Sequence, residues 1–121
     1  MVLVDTSVWV RSLADQAPYA SELDRLLRLE RVAGHELVYG ELLIGDRGGR
    51  AEMLAAYAQM HQVKAIPHHE AVAFVRARGL RARGAGWIDI HLLASAIVGR
   101  LRLWTADPRL AAIARDLGVA Y

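Results

Sequence analysis

Short, β-branched apolar runs alternate with helix-length segments from one end of this chain to the other, and that alternation restricts the fold more than any other feature. Met1 to Val4 is such a run, and it stops at Asp5-Thr6-Ser7, a sequence suited to a helix N-cap. Further short strands are expected at Val32 to His35, Val63 to Ile66, Leu101 to Thr105 and Val119 to Tyr121, the last cut short by the chain end. Between them, Tyr19 to Glu30 carries Leu23, Leu26, Leu27 and Glu30 at amphipathic helical spacing. Glu36 to Gly45, Ala51 to His61, His68 to Arg78 and Asp107 to Leu117 also read as helices, and Ile88 to Gly99 is apolar nearly all round, as a buried helix is. Gly79 to Gly86 holds three glycines and reads as a loop. Strands this short, each followed by a helix, predict an α/β fold: a three-layer α/β/α sandwich around a mainly parallel sheet.

The 121 residues suit a single domain spanning 1–121, and 55% hydrophobic content is enough for a core. The absence of cysteine excludes disulfides, thiolate zinc sites and a thiol nucleophile. The N-terminus does not read as a signal peptide and no apolar run is long enough to span a bilayer, so no membrane association and a cytoplasmic location are expected.

Four of the 13 acids sit in apolar company. Asp5 follows Val2-Leu3-Val4, Glu41 lies within Val38-Tyr39-Gly40-Glu41-Leu42-Leu43-Ile44, Asp89 within Trp87-Ile88-Asp89-Ile90, and Asp107 just after Leu103-Trp104-Thr105. An ionised carboxylate buried without a partner costs several kcal/mol or takes up a proton. Singly, Asp5, Asp89 and Asp107 have an ordinary explanation as helix caps, and an arginine partner would satisfy Glu41. Together they point elsewhere, because Asp5 and Asp107 fall at the C-terminal ends of predicted parallel strands, where open α/β sheets build their sites. Four carboxylates on one edge call for a divalent cation, and an all-oxygen donor set favours Mg²⁺ or Mn²⁺ over zinc. Such clusters serve phosphoryl transfer.

The segments Val4-Asp5-Thr6-Ser7-Val8-Trp9, Tyr39 to Gly45, Asp89 to Ala96 and Leu103 to Leu110, in that order and at these separations, resemble the PIN-domain ribonucleases, and in length the VapC toxins of VapBC toxin–antitoxin modules. The resemblance covers Val2 to about Leu117. It implies a metal-dependent endoribonuclease in which Asp5, Glu41, Asp89 and Asp107 are catalytic and hold Mg²⁺ or Mn²⁺. By the same resemblance Thr6, Ser7 and Thr105 orient the carboxylates or a bound water. The implied partners are RNA and a cognate VapB-type antitoxin. A homodimer is also expected, with the Leu/Ala helices Ser21 to Arg31 and Ala51 to His61 as a candidate face for it or for a partner helix, which intramolecular packing would explain equally well. Leu110 stands where the family often has Phe, an apolar exchange.

Arg76, Arg78, Arg81 and Arg83 lie within eight residues and lead into the loop before Asp89. They are candidates for RNA-backbone contact, against a default reading as a solvated helix end. His91 lies about 200° around a helix from Asp89, which suits a packed histidine better than a ligand. His35-Glu36 lacks the second histidine of HExxH, and no serine has a GxSxG context. Trp9, Trp87, Trp104 and Tyr57 could stack on unpaired bases, but with eight aromatics in all they read first as core. A receiver-like phosphoacceptor domain would need an acid pair at the first strand and a lysine near the last, whereas the one lysine is Lys64. A non-catalytic interaction module on the same fold is the other alternative. If the four acids form one pocket, nine acids remain against 15 basic residues, leaving a basic body of charge +6 around an acidic centre.

Overall fold

The computed structural model describes residues 1–121. Three strands, β1 (Val2–Val4), β2 (Val32–Ala33) and β3 (Arg102–Trp104), form a parallel sheet in the order β2-β1-β3. Leu3 is the register centre, opposite Ala33 on one side and Leu103 on the other. All three residues of β1 are buried, as a central strand covered on both faces must be.

Seven helices surround the sheet: α1 (Thr6–Leu13), α2 (Tyr19–Arg28), α3 (Glu36–Ile44), α4 (Ala51–Gln59), α5 (His68–Arg78), α6 (Trp87–Gly99) and α7 (Pro108–Asp116). The strand order explains their placement. The chain moves outward from β1 to β2 and on to a bridge at Gln62, then returns past β1 to β3 and a bridge at Ala120. Right-handed crossovers in opposite directions lie on opposite faces, so α1–α4 form one layer and α5–α7 the other. Packing follows that division, with α1 against α2 and α3, α3 against α4, and α5 against α6. The expected three-layer α/β/α sandwich is the observed architecture.

Two expected strands are reduced to single bridges. Val63 to Ile66 is not a strand, because β2 ends where the chain turns into α3 at Glu36, leaving those residues no partner. Only Gln62 pairs, through bonds from Gly34 N–H to His61 and from Val63 N–H to Gly34. At the other edge Val119 and Tyr121 bracket Leu103 alone. The remaining elements lie within two residues of expectation. In α6 the run Ile90 to Ala96 is buried throughout. The loop after α5 begins at Gly79, whose φ of 63° is the left-handed geometry that ends a helix cheaply only with glycine. A contiguous cluster of 26 buried hydrophobic residues joins both layers through the sheet.

Candidate active site

The C-terminal edge of the sheet collects the acids from all three layers. Asp5 directly follows β1, and its N–H donates to Trp104 O at 2.8 Å, so the edges of β1 and β3 stay aligned past the last paired residues. Thr105 and Asp107 follow β3. Glu41 comes from the middle of α3 in one helical layer, and Asp89 from the first turn of α6 in the other.

Asp5 is 6% exposed and starts α1 in backbone geometry, yet its carboxylate caps nothing. Its Oδ2 instead accepts from Ser7 Oγ at 2.6 Å and from Thr105 Oγ1 at 2.8 Å. A hydroxyl has one proton, so both hydroxyls are committed to Asp5 and their mutual distance of 3.3 Å is a contact rather than a further bond. Their lone pairs are used too: Ser7 Oγ accepts from Ala106 N–H and Thr105 Oγ1 from Asp107 N–H, each at 3.0 Å. Asp5 Oδ1 is left without a hydrogen bond and is not sealed from solvent.

Glu41 takes no arginine partner. Its Oε1 accepts from Thr6 Oγ1 at 2.6 Å, a charge-assisted length. Asp89 and Asp107 do serve the ordinary capping role, Asp89 Oδ2 accepting from Gly86 N–H and Asp107 Oδ1 from Arg109 N–H, both at 2.9 Å. Thus three of the four acids stand at helix N-termini, where the backbone dipole favours negative charge.

No cation balances the group. The ion pairs of the molecule are Glu22–Arg25, Asp24–Arg28 and Arg83–Asp116, and none reaches these acids. The consequence is felt at Asp89, whose proton affinity is raised by burial first and then by repulsion from Asp5, Asp107 and Glu41, against the pull of Gly86 N–H. The four carboxylates therefore share one field. No three acidic or imidazole side chains are arranged to hold a metal ion directly, however. The donor chemistry fits a hard divalent cation that keeps much of its water and takes one or two carboxylates, which is the habit of Mg²⁺.

Of the four arginines ahead of Asp89, Arg83 is tied to Asp116 at 2.8 Å and the Arg78 guanidinium lies 6.0 Å from the centre of the Phe74 ring. Arg76 and Arg81 are exposed and unpaired. His91 is packed, edge-on to Trp87. Trp9 and Tyr57 are core, as expected, but Trp87 is 43% exposed. A cleft of about 330 Å³ opens beside Glu41, between Val10, Leu13, Leu42, Arg50 and Met53.

Residues 2–116 match the family model of the PIN domain. The chain belongs to the PIN-domain family. Its relatives include the protein named Ribonuclease VapC32 in two strains of Mycobacterium tuberculosis, 41% identical over 123 residues that cover 99% of this chain and 95% of the relative. Among solved structures, PAE2754 from Pyrobaculum aerophilum superposes with a TM-score of 0.59 at 18% identity, over 92% of this chain and 82% of that one, a likeness of fold. Helical layers on both sides of a sheet edge are what let this PIN domain draw acids from four separate stretches of sequence to one place.

Sequence reasoning missed a second polar cluster. His35, fully buried at the start of α3, accepts from Leu37 N–H on Nδ1 at 3.0 Å, so its proton is on Nε2, which meets Ser95 Oγ of α6 at 3.0 Å. The Tyr57 hydroxyl accepts from His35 N–H at 2.8 Å and donates to His35 O at 3.3 Å. Burial lowers the proton affinity of His35 and pushes the Tyr57 hydroxyl up to about 12. The signal in the sequence was Ser95, a hydroxyl within the apolar run Leu92 to Ala96.

Proposed function

We propose that this protein is a VapC-type toxin, an endoribonuclease that hydrolyses RNA phosphodiesters at the edge formed by Asp5, Glu41, Asp89 and Asp107. The observation that carries the reading is the gathering of four carboxylates with no cationic partner, one of them, Asp89, with its proton affinity raised by burial first and then by the other three. The kinship with a protein named as a ribonuclease supports it.

Asp5 and Glu41 are the acids held ready by hydroxyls from other elements, so they would keep their geometry when charged and be the first to meet a cation. Asp89 and Asp107 complete the negative field from two helix N-termini. Mg²⁺ or Mn²⁺ bound there would supply a water of lowered proton affinity and stabilise the departing 3′ oxygen of an in-line displacement. Thr6, Ser7 and Thr105 act through the carboxylates they orient. Arg76 and Arg81 have guanidinium groups free for the RNA backbone, while Arg83 would have to leave Asp116 first.

A VapB-type antitoxin is the regulatory partner in this reading, its C-terminal segment covering the acidic site along the cleft beside Glu41. Self-association as a homodimer is expected, and light scattering on the purified protein checks it. The test of the central claim is cleavage of single-stranded RNA with Mg²⁺ or Mn²⁺. Activity that survives EDTA, or that is undiminished in Asp5→Asn, overturns the mechanism. A non-catalytic module would instead show no carboxylate-dependent heat in a calorimetric metal titration.

A further inference from the structure

Trp87 is the most exposed of the three tryptophans. Trp9 is buried against Tyr57, and Trp104 lies between Tyr19 and Tyr121, whereas Trp87 is 43% exposed. It opens α6, two residues before Asp89, and follows directly on the loop that carries Arg81 and Arg83.

The ring is not loose. His91, one turn further along α6 and buried, meets it edge-to-face with centroids 5.2 Å apart. His68, the exposed first residue of α5, lies 5.2 Å away on a different helix at 55°. Contacts from two helices hold the indole in one orientation, which lowers the entropy cost of using it as a surface. Its position is set by the helix: residues 87 and 89 differ by about 3 Å in height and about 200° in direction. The two side chains therefore leave the first turn of α6 in opposite directions, but Asp89 Oδ2 folds back to accept from Gly86 N–H, the residue before Trp87, so both groups flank the start of the helix, a span that roughly one or two nucleotides of an unpaired strand can bridge. Every base has a π-face, and base–aromatic stacking beside a cationic backbone track is the general solution for holding single strands.

We propose that Trp87, steadied by His68 and His91, is the stacking platform for an unpaired nucleobase of the RNA, adjacent to the phosphodiester at the acids. This rests on the ribonuclease reading above. It gives the site a preference for single-stranded over duplex RNA, since a paired base has no face to offer.

The experiment uses a labelled single-stranded RNA of about a dozen nucleotides, its duplex form, and copies carrying an abasic ribose at successive positions. Binding is read by anisotropy on Asp5→Asn protein, and cleavage on protein with Asp5 intact. Trp87→Ala should weaken single-strand binding about 10-fold and leave duplex binding unchanged, while Trp87→Phe should keep most of the affinity. At one position the abasic loss and the Trp87→Ala loss should not add, because both remove the same stack. If Trp87→Ala binds and cuts the single strand as well as the protein with Trp87 does, or if the losses add at every position, the platform is overturned and the ribonuclease reading stands. If protein with Trp87 and Asp5 intact neither binds nor cuts RNA, the ribonuclease reading falls and the platform with it.

Discussion

Two polar clusters stitch distant elements of this PIN domain together, one at the open edge of the sheet and one inside the core, and they differ in whether their hydrogen bonds and charges are balanced. In the core, His35, Ser95 and the Tyr57 hydroxyl join α3, α6 and α4 as neutral groups with donors matched to acceptors. At the edge, Thr6 joins α1 to α3 through Glu41, and Thr105 joins β3 to β1 through Asp5, but the oxygens of four carboxylates outnumber the five hydroxyl and N–H groups that donate to them, and no cation is paired with them. The first cluster is complete without a ligand. The second is held in place by the fold and left short of positive charge, which is the condition of a binding site.

The contrast breaks most sharply in activity. Asp5→Asn should cut RNA cleavage by about a thousandfold while leaving thermal stability nearly unchanged, because Asn still accepts from Ser7 and Thr105. His35→Ala should do the opposite. It strands Leu37 N–H and Ser95 Oγ and opens a cavity at a fully buried position, for a loss of about 3 kcal/mol measured by urea unfolding. Removing one donor from the edge tests whether orientation matters there: Thr105→Val should lower the cleavage rate about 10-fold, with KM little changed.

The two clusters should also answer pH in opposite directions. His35 binds its proton more weakly in the folded protein than at its ordinary value of 6.5, so the unfolded chain protonates first as pH falls. Its contribution is complete above 6.5 and is lost as pH falls through 6.5 towards the folded value. Asp89 is the reverse, a carboxyl with proton affinity raised above the ordinary 3.8. It costs nothing below 3.8, and its destabilisation grows as pH rises through the folded value. Asp89→Asn, which can still accept from Gly86 N–H, should therefore stabilise the metal-free protein at neutral pH, by less than about 1 kcal/mol after solvent screening, while abolishing cleavage. A Tm that falls in Asp89→Asn would mean that the charge on Asp89 is no net cost to the fold, whether through burial or through repulsion from the other acids.

Much of this was legible from residues alone. α5 falls on His68–Arg78, and α1, α3, α6 and α7 start within a residue of where apolar spacing and caps put them. Asp5, Glu41, Asp89 and Asp107 stood out because a carboxylate in an apolar run is expensive unless something explains it. What failed was pairing: Val63 to Ile66 has strand composition, but a strand needs a neighbour, and β2 had already ended. The arginines failed differently. Four in eight residues looked alike in sequence, yet one is committed to Asp116 and another lies against Phe74.

By itself the sequence determined the alternation of strands and helices, the exclusion of cysteine chemistry and the short list of acids, all of which depend on neighbours a few positions apart. Only the tertiary structure decided that Thr6 serves Glu41 rather than Asp5, that Thr105 reaches Asp5, that His35 locks to Ser95, and that Trp87 stays exposed while Trp9 does not. The physical reason is distance along the chain. Those partners are 35, 100 and 60 positions apart, and a hydrogen bond or a buried ring is specified by where crossovers bring side chains together, which local periodicity does not encode.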